Sequence, residues 1–325
     1  MSKLSLKLAF LPGALLAIPS AMTGASLIYE GFDYGLTNKA ITGTATTATG
    51  LTGSYTTVSN NGTSTYTATG LTFTGLATSG GALTLSVSPT TDSVKEFAYT
   101  HIPINVSVSA GTTVYQSMLV NLTANSLSTN TGDASLRLTA TSNLTGNGNG
   151  SMVNAVKRIG TTSNTSGVYY AAGDSNPSGS AVISTSTTYL YISKFTNVGG
   201  TGGGDATTWI LTEAQFEAWQ LAGGTEADLN SVSGSFKTSK TSTANITFDT
   251  TKSLRFNTSE FSVDFNSGST NYNNSGQLTT VFDELRFGTS LNDVLAFSTV
   301  PEPSTYASIM GGMILGIVAL RRRRS

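Results

Sequence analysis

The sequence predicts an all-β chain: an antiparallel β-sandwich of jelly-roll type with one short helix, framed by an N-terminal signal peptide and a C-terminal transmembrane helix. Three observations carry the sandwich. Apolar and polar residues alternate over short runs such as Leu83-Thr84-Leu85-Ser86-Val87 and Ser135-Leu136-Arg137-Leu138-Thr139, the period of a strand with one buried face. Clusters of Gly, Asn and Ser separate the runs, as at 143–150 and 199–204, and mark turns. The runs follow no fixed repeat, which argues against a solenoid or propeller.

At the N-terminus, Lys3 and Lys7 form a positive segment. An apolar stretch follows at 8–18, interrupted by Pro12, and Thr23-Gly24-Ala25 supplies small residues. This is a signal peptide over 1–25, cut by signal peptidase between Ala25 and Ser26. The body then occupies 26–298. Its first part, 36–70, is nearly a Thr/Ala/Gly/Ser/Asn tract with Tyr55 and Tyr66 as its only aromatics, and is expected to be loose. The Thr-rich runs at 44–49 and 63–69 lack the regular repeat of a flat, lattice-matched face and read as flexible, O-glycosylated chain.

Strands are expected at 83–87, 104–108, 113–122, 135–139, 168–170, 188–195, 246–248, 253–256, 261–265 and 281–287, each rich in β-branched or aromatic residues. One helix interrupts them. Thr212-Glu213-Ala214-Gln215 is a capping box, Phe216 and Trp219 share a face, and Gly223-Gly224 stops the helix. The shared face is expected to pack on a sheet.

Composition excludes several chemistries. The 325 residues contain no cysteine, so a thiol nucleophile, zinc-thiolate site or iron–sulfur cluster is ruled out. Charged residues make up 11% of the chain and the net charge is −1. The charge fraction is well below the roughly 25% usual for soluble domains, and the field favours no nucleic-acid partner. Glycoside hydrolysis needs two carboxylates about 5 to 10 Å apart. The nearest string, Glu226-Ala227-Asp228, has Ser231 where a third acid would stand. Asp283 and Glu284 are adjacent, so on a strand they point to opposite faces; one is expected at a turn or edge and the other in solvent. His101 is the sole histidine. It reads as a partly exposed loop residue, with no nucleophile motif to serve. No cofactor is expected. Calcium needs only oxygen ligands, and Asp33 and Asp283 would meet in a closed sandwich. Tyr169, Tyr170, Tyr189, Tyr191 and Trp209 are candidate sugar-stacking residues.

The last residues carry the most specific signal. Val300-Pro301-Glu302-Pro303 is held extended by its prolines. The stretch 306–320 is free of charge and proline, and Arg321, Arg322, Arg323 and Arg324 follow. Fifteen residues at about 1.5 Å each span roughly 22 Å, short of the ~30 Å hydrocarbon core. Starting the helix at Ser304 and letting the arginines snorkel completes the span over 304–320, with the arginines cytoplasmic.

This tail resembles the PEP-CTERM sorting domain: the Val-Pro-Glu-Pro-Ser tract at 300–304, the apolar helix and the terminal arginines match its parts over 299–325. The body resembles concanavalin A-like, LamG-type jelly rolls at Ile28-Tyr29-Glu30-Gly31-Phe32-Asp33-Tyr34, at 114–120 and at Phe282-Asp283-Glu284-Leu285-Arg286-Phe287-Gly288 through Val294. The resemblance implies a Gram-negative bacterium, a single-pass intermediate in the inner membrane and cleavage by an exosortase. It further implies delivery to the cell surface or an extracellular polysaccharide matrix. The expected role is structural and non-enzymatic. A lectin-like adhesive module is the alternative, and a polysaccharide-active enzyme the third reading.

Overall fold

A computed structural model describes residues 26–35, 38–88, 96–125, 132–141, 151–159, 164–169, 181–233, 237–260 and 276–297. The expected strand at 261–265, the signal peptide through Ala25 and the whole sorting tail lie outside the described residues. No described helix is long and apolar enough to cross a membrane.

In chain order the strands are β1 (Ile28–Glu30), β2 (Lys39–Ala40), β3 (Thr56–Asn60), β4 (Gly62–Thr67), β5 (Ala82–Val87), β6 (Phe97–Pro103), β7 (Thr112–Asn125) and β8 (Gly132–Ala140). Then follow β9 (Ser151–Ile159), β10 (Asn164–Tyr169), β11 (Ala181–Ile183), β12 (Thr188–Val198), β13 (Gly204–Leu211), β14 (Lys237–Ser242), β15 (Lys252–Glu260) and β16 (Leu278–Gly288). Helices α1 (Glu213–Ala222) and α2 (Glu226–Ser233) separate β13 from β14, and α3 (Leu291–Val294) follows β16.

The strands form the predicted antiparallel sandwich. One nine-stranded sheet runs β14-β13-β12-β7-β16-β5-β4-β2, with β1 pairing along the far half of β16; the seven-stranded sheet runs β11-β10-β9-β8-β15-β6-β3. Between them lies a core that includes Leu83, Leu85, Met118, Val120, Leu136, Leu138, Leu254, Phe256 and Phe282. These are the apolar members of the alternating runs, so period two placed them on one face.

A second apolar layer covers the outer face of the nine-stranded sheet. Leu119, Leu190, Ile192, Trp209 and Leu211 point outward there and are covered by Phe216, Trp219, Leu229, Val294 and Leu295 from the helices. The predicted capping box at Thr212 and Gln215 is present, and Phe216 and Trp219 are buried. The sequence reading expected one helix; α2 and α3 are additional. Thr225 with Asp228, and Ser290 with Asp293, cap them. Here Asp stands where the usual box has Glu or Gln, and both helices are too short to show a helical period.

Three further expectations are corrected. The tract 36–70 carries β2, β3 and β4, because Tyr55 and Tyr66 are buried core residues that pin it. Asn61 turns the chain between β3 and β4, and hence between sheets, at φ 49°. A Cβ at the next residue, Gly62, would lie 2.5 Å from the Phe97 carbonyl oxygen, so glycine is required there. The runs 104–108 and 246–248 are not strands beyond the bridge of Ile104 to Leu51. Ile104, Ile246 and Phe248 are buried in the core from irregular chain, so there the alternation reports burial without ladder pairing.

Candidate functional site

The outward face of the seven-stranded sheet is polar where three adjacent strands, β6, β15 and β8, run side by side. Register sets the rows. His101 pairs with Arg255, which pairs with Arg137; Tyr99, Asn257 and Ser135 form the next row; Phe97, Ser259 and Asp133 form a third. The intervening residues Ala98, Ile102, Leu254, Phe256, Leu136 and Leu138 enter the core, so the polar set shares the opposite face.

This face is withdrawn from solvent: His101 is 0% exposed, Arg255 1% and Tyr99 3%. Phe97 stacks on Tyr99 with ring centroids 4.4 Å apart, and His101 meets Tyr99 edge-on at 6.5 Å. The Arg255 guanidinium carbon lies 4.9 Å from the Tyr99 ring centre, a cation–π contact that fixes its plane. Arg137 forms an ion pair with Asp133 and donates its Nε–H to Ser135 Oγ at 2.8 Å. Asn257 Nδ2 donates to the same Ser135 oxygen at 3.1 Å.

Several polar atoms here have no partner among the described residues: both ring nitrogens of His101, Asn257 Oδ1, Asp133 Oδ1, Ser253 Oγ and Ser259 Oγ. Orphaned buried polar groups are uncommon in folded proteins and call for a physical explanation. Burial, with the Arg255 charge beside it, pushes the His101 pKa down to about 4. At neutral pH the imidazole is therefore uncharged, with one donor and one acceptor. Burial, then the like charge of Arg137, lowers the Arg255 pKa to about 10. Burial raises that of Tyr99 to about 12. The expectation of an exposed loop histidine is thus wrong: His101 lies within β6. Its signal was the alternation Phe97-Ala98-Tyr99-Thr100-His101-Ile102, in which every second residue faces away from the core.

A second polar cluster lies at the bulge in β16. Register shifts between Asp283 and Arg286, and Glu284 has φ 50°. The bulge breaks strict alternation, so both carboxylates are buried. This corrects the expectation of one turn or edge residue and one solvated partner. Asp283 accepts N–H bonds from Leu71 and Glu284, each at 2.7 Å. Glu284 accepts from Ser79 N–H and from Arg286. Glu30 accepts from Phe32 N–H at 2.6 Å and from the hydroxyls of Tyr34 and Tyr55. Burial, then the neighbouring Glu284 charge, raises the Asp283 pKa to about 8. The cluster fastens the segment 70–81 to β16; a Cβ at Gly70 would lie 2.7 Å from Asp283 Oδ2.

The calcium expectation is tested by these donors. Asp283 has both oxygens occupied by backbone N–H groups, while Asp33 is exposed. No group of three or more His, Cys, Asp or Glu residues among those described is placed to hold a metal. The oxygens face hydrogen-bond donors, so the residues present do not fit a calcium ion.

Other candidates take structural places. Glu226 opens α2 and accepts from Lys194 Nζ at 2.8 and 3.0 Å and from the Tyr115 hydroxyl at 2.7 Å. Burial opposes its charge, but Lys194 and Tyr115 together hold its pKa below the ordinary value. Asp228 caps the same helix. Tyr189, Tyr191 and Trp209 are buried, so they present no platform for a sugar. Their alternating positions marked core rather than surface. Tyr170 and the side chain of Tyr169 lie outside the described residues. So do the sorting residues Val300, Pro301, Glu302 and Pro303 and the basic residues Arg321, Arg322, Arg323 and Arg324. Of the signal cleavage pair, Ser26 is described and Ala25 is not; Ser26 Oγ donates to the Asp293 carbonyl at 2.6 Å.

Comparison with known proteins identifies the tail. Residues 299–324 match the PEP-CTERM protein-sorting motif. No curated protein matches the chain. Among solved structures, an endo-β-1,4-glucuronan lyase from the fungus Trichoderma reesei is similar at 13% identity and TM-score 0.42, over 73% of this chain and 90% of that one. The Emp47p carbohydrate recognition domain is similar at 8% identity and TM-score 0.40, over 78% and 95%. Lectin II from Ulex europaeus is similar at 10% identity and TM-score 0.39, over 73% and 93%.

Proposed function

We propose that this chain, whose sorting motif implies exosortase-dependent export to the cell surface, is displayed there or in the extracellular matrix as a non-enzymatic, glycan-binding body. Signal peptidase and an exosortase process its two ends in a Gram-negative host, and an extracellular polysaccharide is its partner. The observation that supports binding is the row of orphaned polar groups across β6, β15 and β8. A polyhydroxylated ligand supplies donors and acceptors in just such a row. Binding is favoured over chemistry because the neutral His101, with a pKa of about 4, is a weak proton acceptor at neutral pH, far from the match a general base needs.

Two measurements test the reading. Cell fractionation with a tag on the body is expected to find the protein in the envelope or matrix; a full-length cytoplasmic pool would refute export. A glycan array probed with the full-length chain in detergent is expected to show saturable binding that weakens in a His101→Phe variant. Array signal unchanged by that substitution would remove the site from this face.

A further inference from the structure

We infer that the sugar taken by the outward face of the seven-stranded sheet carries a carboxylate, as a uronic-acid unit does, and that Arg255 receives it. The inference rests on the glycan-binding reading above and narrows it to a ligand class. It begins from register: Arg255 and Arg137 are direct cross-strand partners on β15 and β8. Like charges placed directly opposite each other destabilise a sheet. Here they do so in a buried setting, where charge repulsion is screened least.

The described titratable groups facing this row are Tyr99 and His101 from β6, Arg255 from β15, and Asp133 and Arg137 from β8; β3 contributes Thr56 and Val58 opposite His101 and Tyr99. Asp133 is engaged by Arg137. His101 is neutral at pH 7. Two guanidinium groups and one carboxylate leave an excess positive charge in a chain whose net charge is −1. A ligand anion offsets that excess.

Geometry selects a planar anion. Tyr99, stacked by Phe97 on one side, holds the Arg255 guanidinium 4.9 Å from its ring centre and so acts as a positioning residue. A guanidinium fixed in plane offers parallel N–H groups matched to the two oxygens of a carboxylate. The uncharged ring nitrogens of His101, Asn257 Oδ1 and Ser253 Oγ stand along the same rows, where sugar hydroxyls give and accept hydrogen bonds. Because the row is closed off from solvent, each such contact forms in a low-dielectric setting and counts for more than on an open surface.

The test uses the full-length chain in detergent against three immobilised polymers: polygalacturonate, the same polymer with its carboxylates reduced to alcohols, and dextran sulfate. Polygalacturonate is expected to bind about tenfold or more tightly than its reduced form, the scale of one charge-assisted hydrogen-bond pair. Binding should weaken on raising the salt. Arg255→Gln is expected to lose that margin, and Arg255→Lys to recover part of it. Since either variant could fold poorly, the wild-type complex is also challenged with free galacturonate and free galactose; only galacturonate should compete. Equal binding of the reduced polymer overturns the acidic-ligand inference and leaves glycan binding standing. Equal binding of dextran sulfate overturns the carboxylate assignment. Binding to no polymer here, and to no sugar on the array, overturns both.

Discussion

Arg255 stands directly opposite His101 on the β6–β15 ladder, and the cation keeps the only imidazole in the chain from taking a proton. Stability therefore depends on acid in a defined window. The folded pKa, about 4, lies below the ordinary value of 6.5. The unfolded chain binds the proton first as pH falls. The contribution is complete above about pH 6.5 and is lost as pH drops to about 4, to an extent of roughly 3 kcal/mol. A single histidine gives a single pair of imidazole NMR signals, so the titration can be followed directly. A midpoint near 6.5 would show that His101 is not buried beside the cation.

Asp283 has the opposite sign. Its folded pKa, about 8, lies above the ordinary 3.8. The native state holds the proton while the unfolded chain has lost it, so this group's contribution is full below about pH 4. It then falls as pH rises through about 8. Asp283→Asn removes the slope but leaves one of two N–H donors, from Leu71 or Glu284, poorly matched. The variant is expected to be destabilised by about 1 to 3 kcal/mol at pH 5, with the gap to wild type shrinking toward pH 9. Thermal melts at the two pH values measure it. A gap that widens with pH would reverse the assignment.

Trp219→Ala tests the helix layer. The indole is fully buried against the sheet, donates Nε1–H to the Thr225 carbonyl at 2.7 Å and lies 6.2 Å from the Phe297 ring. Its loss is expected to cost about 3 to 5 kcal/mol. Glu226→Gln, at a partly exposed ion pair with Lys194, is expected to cost less than about 1 kcal/mol. Urea denaturation compares the two, and similar midpoint shifts would contradict the layer's role.

Replacing Pro301 and Pro303 by Ala lifts the block on helix extension through the sorting site. Cleavage of a C-terminally tagged chain in its host is expected to stop while membrane insertion persists. Replacing Arg321, Arg322, Arg323 and Arg324 by neutral residues is expected to loosen topology instead, since each Arg costs roughly 2.5 to 3.5 kcal/mol at mid-bilayer. Normal cutting of the Pro variant, seen by immunoblot, would count against recognition of an extended tripeptide.

The sandwich was legible because alternation and turn composition are local signals. The sorting tail was legible because its parts are contiguous in sequence. The polar face was not, since His101, Arg255 and Arg137 are far apart in the chain and meet only through ladder register. Each alone reads as the solvated side of an amphipathic strand. The carboxylate cluster was hidden for another reason: adjacency of Asp283 and Glu284 implies opposite faces until a bulge inserts a positive-φ residue. Nothing in the local sequence around Glu284 announces that bulge.

The two ends of the body leave from one corner. Ser26 holds the Asp293 carbonyl, the Leu27 N–H reaches the Phe287 carbonyl at 2.7 Å, and Phe297 stacks on Phe216 at 6.1 Å. Nine residues, 298–306, lead from that stack to the start of the apolar tail, a leash of roughly 30 Å at full extension. With the leader and tail both anchored in one bilayer, the body hangs from a single point rather than being stretched between two. Cutting the leader leaves its orientation unchanged, and cutting the tail sets it free in one step. The sorting protease must therefore work in a gap no wider than the leash, with a folded domain above it and lipid below.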